Sequence, residues 1–183
     1  EKMVKLNVGN LRLAMKAGLW TVCKKLFASQ KEKSDKHLLE YLELEEDSEN
    51  HAVHYAAQYG ATMTIWETML NADPSLIKRK GKNGRTVFHY LAEANTTYPD
   101  TVAILDFICT HLKDDENSYP EYFYELFATK ENNTLMLPLH YAAACRASLP
   151  LLKKYVEFSQ RGKSGEIKQR EETLLLERDA SNL

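Results

Sequence analysis

The apolar positions of this chain fall into short helical runs, and the runs come in unlike pairs. In one kind the side chains are small, as at Ala14, Ala56-Ala57 and Ala142-Ala143-Ala144, which lets a helix lie close against its neighbours. In the other kind larger residues recur at three- and four-residue spacing: Ile65, Met69 and Leu70, or Leu151, Leu152, Tyr155 and Val156. Each of these is an apolar stripe that a lone pair would leave wet and that stacked pairs would bury. The pattern predicts an all-α protein built as a row of helix pairs.

Insertions interrupt the row. Ser34 or Asp35 can cap a short helix carrying Leu38, Leu39 and Leu42. "NTTYPD" lengthens the turn after Ala94. In "KDDENSYPEYFYELFATKENN", Ser118, Pro120 and Glu121 form a capping box with proline at an early helical position, which predicts a helix over 118–128. Phe123, Leu126 and Phe127 share one face of it, while Tyr122 and Tyr124 lie off that face and form a second candidate binding surface. After Val156, "SQRGKSGEIKQREE" reads as a polar loop, and "TLLLERDASNL" as the end of one more second helix and the start of a further turn.

One phrase recurs through the row. "AVHYAAQYG", "TVFHYLAEAN" and "PLHYAAACR" place His54, His89 and His140 in one register. A weaker copy precedes them, with Gly18 in the slot of Gly60 and Arg12 in the histidine slot. The set resembles ankyrin repeats, whose usual phrase is G-x-T-P-L-H-x-A-A-x-x-G. Gly84, Thr86 and His89 match in one copy; Pro138, Leu139, His140, Ala142 and Ala143 in another; His54, Ala56, Ala57 and Gly60 in the first full one. The resemblance covers roughly residues 9–158 and implies an ankyrin-type helical solenoid with short hairpin turns and helical insertions.

The expected divisions are a degenerate capping repeat with its insertion over 1–46, repeats over 47–81, 82–132 (with the second insertion) and 133–158, and a loop with a truncated repeat over 159–183. The resemblance also implies structural histidines, each ring bonded to the backbone of a hairpin. The concave side would then carry the partner-binding residues: Asn50, Gln58 and Tyr59, then Asn83, Arg85 and Glu93, and finally Arg146.

Composition narrows the function classes. A net charge of −2 and a pI near 6.4 give no global pull toward nucleic acid or an anionic membrane. No apolar run approaches the roughly 18–20 residues of a membrane span, so membrane insertion is not expected. Three well-separated cysteines, Cys23, Cys109 and Cys145, point to buried thiols in a reducing compartment rather than a disulfide framework. A chain opening on Glu1 and closing within a helical pattern is expected to be a fragment of something longer.

Catalytic and metal chemistry find little purchase. His140 and Cys145 stand five apart, which on a helix turns their side chains about 140° from one another. His51 and His54 are the one close histidine pair, and no third ligand lies at metal-site spacing. "KRKGKNGRT" lacks the lysine-serine ending of a phosphate loop. Its cations Lys78, Arg79, Lys80, Lys82 and Arg85 are expected to face the acidic run Glu43 to Glu49, with a basic docking patch as the alternative. No catalytic, cofactor or metal-binding residue is therefore assigned.

The leading expectation is a monomeric, non-enzymatic protein-binding module in the cytoplasm, either within a pathogen effector acting in host cytosol or within a larger eukaryotic protein. The alternative is a substrate-docking or regulatory arm of an enzyme whose catalytic domain lies outside this chain.

Overall fold

A computed structural model describes residues 8–43, 50–94, 97–98, 100–112 and 121–160. All regular structure among them is helical: α1 (Val8–Lys16), α2 (Trp20–Lys31), α3 (Asp35–Glu43), α4 (Ala52–Gln58), α5 (Met63–Ala72), α6 (Val87–Ala94), α7 (Thr101–His111), α8 (Glu121–Ala128), α9 (Pro138–Ala144) and α10 (Leu149–Gln160). Short 3-10 turns at Pro74–Lys78 and Lys82–Gly84 follow α5. None of the described helices is long and apolar enough to cross a membrane.

The helices form two rows. In the first, α1 packs on α4, α4 on α6, and α6 on α9; in the second, α2 packs on α5, α5 on α7, and α7 on α10. The pairs α1/α2, α4/α5, α6/α7 and α9/α10 bridge the rows, which is the pairing that the alternation of small and bulky runs predicts. Ala52, Ala56 and Ala57 bury one face of α4, and Ile65, Trp66, Met69 and Leu70 bury the stripe of α5. Close approach explains why the first row is alanine-rich: a larger side chain there would push neighbouring axes apart.

Both predicted insertions are helical among the described residues, and both enter the core. The Ser34 hydroxyl accepts the His37 N–H at 3.2 Å and so caps α3, which lays Leu38 and Leu42 against α2 and α5. The expected capping box at Ser118 and Pro120 falls outside the described residues. The helix that follows, α8, buries Phe123, Leu126 and Phe127. Phe127 stacks on Phe88 at 4.1 Å between centroids and meets Tyr155 edge-on at 5.3 Å, and Phe123 meets Phe158 at 5.5 Å. Beneath them the buried Tyr155 hydroxyl donates to the Phe88 carbonyl of α6.

Helix α8 is thus a wedge joining α6, α9 and α10. Of its tyrosines, Tyr122 and Tyr124 are half-buried against the core, and the Lys78 ammonium covers the Tyr122 ring at 3.6 Å. Since the aromatic face is filled from three sides, Phe127→Ala should lower stability by about 3–5 kcal/mol in urea denaturation. A loss under about 1 kcal/mol would show that α8 is peripheral to the fold.

Candidate functional site

Two helices of the first row, α4 and α9, start from an extended residue, His51 (φ −83°, ψ 168°) and Leu137 (φ −81°, ψ 161°). His54 and His140 lie three positions further on, as His89 does after Thr86. From there the ring can reach back to the first free N–H of its own helix. His54 Nδ1 accepts the His51 N–H at 3.0 Å, His89 Nδ1 accepts the Thr86 N–H at 3.0 Å, and His140 Nδ1 accepts the Leu137 N–H at 3.3 Å.

An accepting Nδ1 leaves the proton on Nε2. In His54 that proton is donated to the Arg79 carbonyl at 3.1 Å, and in His89 to the Met136 carbonyl at 3.1 Å. Each of these two rings therefore ties the start of its own helix to the strand of backbone entering the next one. Protonation at Nδ1 would break the tie. Burial pushes His54 down to about 3, with the neighbouring His51 lowering it further and the Arg79 carbonyl opposing. Burial likewise pushes His89 down to about 4, against the Met136 carbonyl.

The hairpins between helices are linked as well. Gly81 N–H donates to Arg85 O at 2.8 Å, closing one, and Glu131 N–H donates to Met136 O at 3.0 Å, closing the next. Asn132 N–H then donates to Asn83 O across the two at 2.8 Å. Gly81 carries no side chain because the His54 ring and the Asn50 amide occupy the space a Cβ would need.

The residue after each histidine is a tyrosine, and its ring leans on the preceding rung. Tyr90 lies 5.4 Å from His54, and Tyr141 lies 5.4 Å from His89. Between Tyr90 and Tyr141 sits the Arg85 guanidinium, 4.2 Å from one ring and 4.5 Å from the other, with its side chain 14% exposed. Its Nη2 donates to Glu93 Oε2 at 2.6 Å. The Tyr90 hydroxyl donates to Asn50 Oδ1 at 2.8 Å, and the same oxygen accepts the Lys82 N–H at 2.8 Å. Tyr59 stacks on Tyr55 at 6.3 Å, and burial, with Tyr55, Tyr98 and Glu93 nearby, raises its hydroxyl.

These contacts divide the seven expected binding residues. Asn50, Arg85 and Glu93 are drawn into one network with Tyr90 and Tyr141, and Asn83 offers its carbonyl to the next hairpin from a left-handed backbone (φ 58°). Asn50, Asn83 and Arg85 are thus held by contacts between neighbouring repeats. Tyr59 and Gln58 are half-buried at the end of α4, and Arg146 is exposed in a left-handed turn (φ 54°) after α9. The buried Tyr55 and Tyr90 and the half-buried Tyr141 were missed as the rings that pack each repeat on the one before it. The signal was present in the tyrosine that follows each histidine.

The basic hairpin is also rearranged. Lys78 turns to Tyr122 and Arg85 to its tyrosine pair, so they do not join a common basic patch with Arg79, Lys80 and Lys82. The acidic run expected to face them, 43–49, falls outside the described side chains.

Nucleophilic or metal chemistry is poorly served by these groups. Both nitrogens of His54 are committed, so its pairing with His51 leaves it none for a metal. Among the described residues, no three His, Cys, Asp or Glu side chains converge as a metal cluster would. Cys145 is half-buried, unlike the buried Cys23 and Cys109, and burial and Glu93 raise its thiol, which disfavours the thiolate. A groove of about 460 Å³ between α2, α3 and α5 presents Lys24, Lys31 and Glu67, with neither histidine nor cysteine on its walls.

No family model, curated protein or solved structure matches this chain.

The rungs make stability depend on pH in a definite direction. His54 and His89 are neutral in the fold, while in the unfolded chain each binds a proton near pH 6.5. Their contribution is complete above about pH 6.5 and is lost as pH falls through about 4 for His89 and about 3 for His54. At pH 7.5, His89→Ala should lower stability by about 1–3 kcal/mol. Between pH 7.5 and 4.5, urea denaturation of this variant should show a loss about 2 kcal/mol smaller than the loss in the parent. An unchanged difference between variant and parent at the two pH values would mean that His89 is not the titrating ring.

Proposed function

We propose that the chain is a non-enzymatic protein-interaction module, an ankyrin-type helical solenoid that engages a partner protein through the face formed by α4, α6, α9 and the hairpins between them. The observation that carries this reading is the group of half-buried Tyr59 and Tyr141 beside the exposed Glu93 and Arg146, on a face that the histidine rungs and the buried Tyr55 and Tyr90 hold rigid. Rigid aromatic rings with polar edges cost little entropy to bury and are favoured anchors at interfaces. The rungs supply that rigidity without using the exposed edge of the face.

The non-enzymatic part of the reading rests on chemistry. Two of the repeat histidines, His54 and His89, have both nitrogens committed to backbone, and the half-buried thiol is pushed away from its reactive form. What remains accessible for a partner is Gln58, the edge of Tyr59, Glu93 and Arg146, while Asn50, Asn83 and Arg85 act by holding the face in shape.

The test is partner capture from cytosolic extract with surface variants, each scored for thermal unfolding. Gln58→Arg, Tyr59→Ala and Arg146→Glu should each weaken capture about tenfold, a typical anchor effect. Gln58→Arg and Arg146→Glu should leave the melting temperature unchanged, and Lys36→Glu on the exposed side of α3 should change neither quantity. Capture unaffected by all three face variants would overturn the proposal.

A further inference from the structure

The hairpin between α5 and α6 turns through two successive residues with left-handed backbone, Asn83 (φ 58°, ψ 26°) and Gly84 (φ 71°). Asparagine followed by glycine is the pair that such a turn favours. Gly84 is fixed twice over: its φ disfavours any side chain, and a Cβ there would lie 2.8 Å from Asn132 Oδ1 of the next hairpin. The chain holds no other Asn-Gly pair.

The same pair is the one most open to attack on the asparagine amide by the backbone that follows it, because glycine has no side chain to shield its nitrogen. The five-membered ring so formed contains Gly84 N and the C, Cα, Cβ and Cγ of Asn83. Closing it needs Cβ to eclipse Gly84 N about the Cα–C bond, which tetrahedral geometry places at a ψ of about −120°. Asn83 stands at ψ 26°. Turning it would swing the 83–84 peptide, and both polar groups of that peptide are bonded. The Asn83 carbonyl accepts the Asn132 N–H at 2.8 Å, and the Gly84 N–H donates to Gly81 O at 3.0 Å. On the other side of Asn83, the Lys82 N–H donates to Asn50 Oδ1 at 2.8 Å. Exclusion of water plays little part, since Asn83 is only half-buried.

We propose that Asn83 is a site of spontaneous deamidation that these bonds hold closed, so that it reacts only when the hairpin opens and its isoaspartate product cannot remake the tie to Asn132. In the open hairpin Gly84 N gives its proton to hydroxide and attacks Asn83 Cγ. The new N–C bond forms, the Cγ–Nδ2 bond breaks, and Nδ2 leaves as ammonia with a proton from water. Water then opens the ring. Addition at Cγ breaks the new bond and leaves aspartate; addition at the backbone carbonyl carbon leaves isoaspartate, with the main chain running through Cβ and Cγ. Isoaspartate thus lengthens the main chain by a carbon at the residue whose carbonyl meets Asn132, and either product sets a carboxylate next to Lys82 where a neutral amide stood.

The experiment incubates the whole chain in mildly alkaline buffer, folded and in urea that unfolds it. Peptide mass spectrometry follows the amide-to-acid exchange at residue 83, and electron-transfer fragmentation separates aspartate from isoaspartate. The unfolded chain should react at least about tenfold faster than the folded one. Asn50→Ala, which loses the bond to the Lys82 N–H, should react faster than the parent in native buffer, with circular dichroism checking that it is folded. After removal of urea, the isoaspartate form should exchange the Asn132 amide hydrogen at least about tenfold faster than unreacted chain. Equal rates at residue 83 in the folded and unfolded parent, or in the parent and a folded Asn50→Ala, would overturn the proposal. So would no reaction there in urea, or an Asn132 amide equally protected in both forms. Should Asn50→Ala fail to fold, the urea comparison and the Asn132 exchange decide.

Discussion

An imidazole has two nitrogens, and in His54 and His89 both are spent on backbone: one on the N–H that opens its own helix, the other on a carbonyl that leads into the next. The bond to the helix start fixes the ring, and the fixed ring sets the distance to the following hairpin. Much of the local sequence follows from that distance. Gly81 must lack a side chain because the His54 ring passes against it. The ring must also stay neutral, since a proton on Nδ1 would leave a buried N–H facing another N–H. Burial, which a polar ring normally resists, here enforces the required state.

Because the tyrosine follows the histidine by one position, the rung that joins two repeats also places an aromatic ring on the preceding rung. The aromatic packing between repeats is a by-product of the stacking chemistry. This explains the position of Arg85, whose planar cation lies between two rings already held by the rungs and donates to one carboxylate, Glu93. Asn50 plays the matching part on the other side of Tyr90, joining that ring to the Lys82 N–H. Polar groups that look available on the surface are in this way partly committed to shape.

The sequence made legible whatever depends on neighbours along the chain. The cap at Ser34, the buried face of Phe123, Leu126 and Phe127 and the alternation of helix types all rest on spacings of a few residues, whereas the backbone role of the repeat histidines was implied only by the resemblance of the phrase that carries them. The illegible part rests on pairings across repeats. Nothing local to Asn50 announces that its amide will bond Tyr90, forty residues on, and nothing in "KRKGKNGR" separates Lys78, which covers Tyr122, from Arg85, which enters a tyrosine pair. A run of like charges reads as one patch only until the fold sends its members in different directions.

The insertion helix α8 follows from the same division between local signal and distant partner. Phe88 of α6 is fully buried although the period is stretched after it. The stretched period here brings its own filling, for Phe127 stacks on Phe88 while Phe123 and Phe127 meet Phe158 and Tyr155 of α10. The inserted aromatics therefore complete the packing around Phe88 and α10. Two kinds of aromatic packing thus share the core: the repeated one of Tyr55 and Tyr90, each set against the preceding pair, and the single one that α8 brings with its insertion.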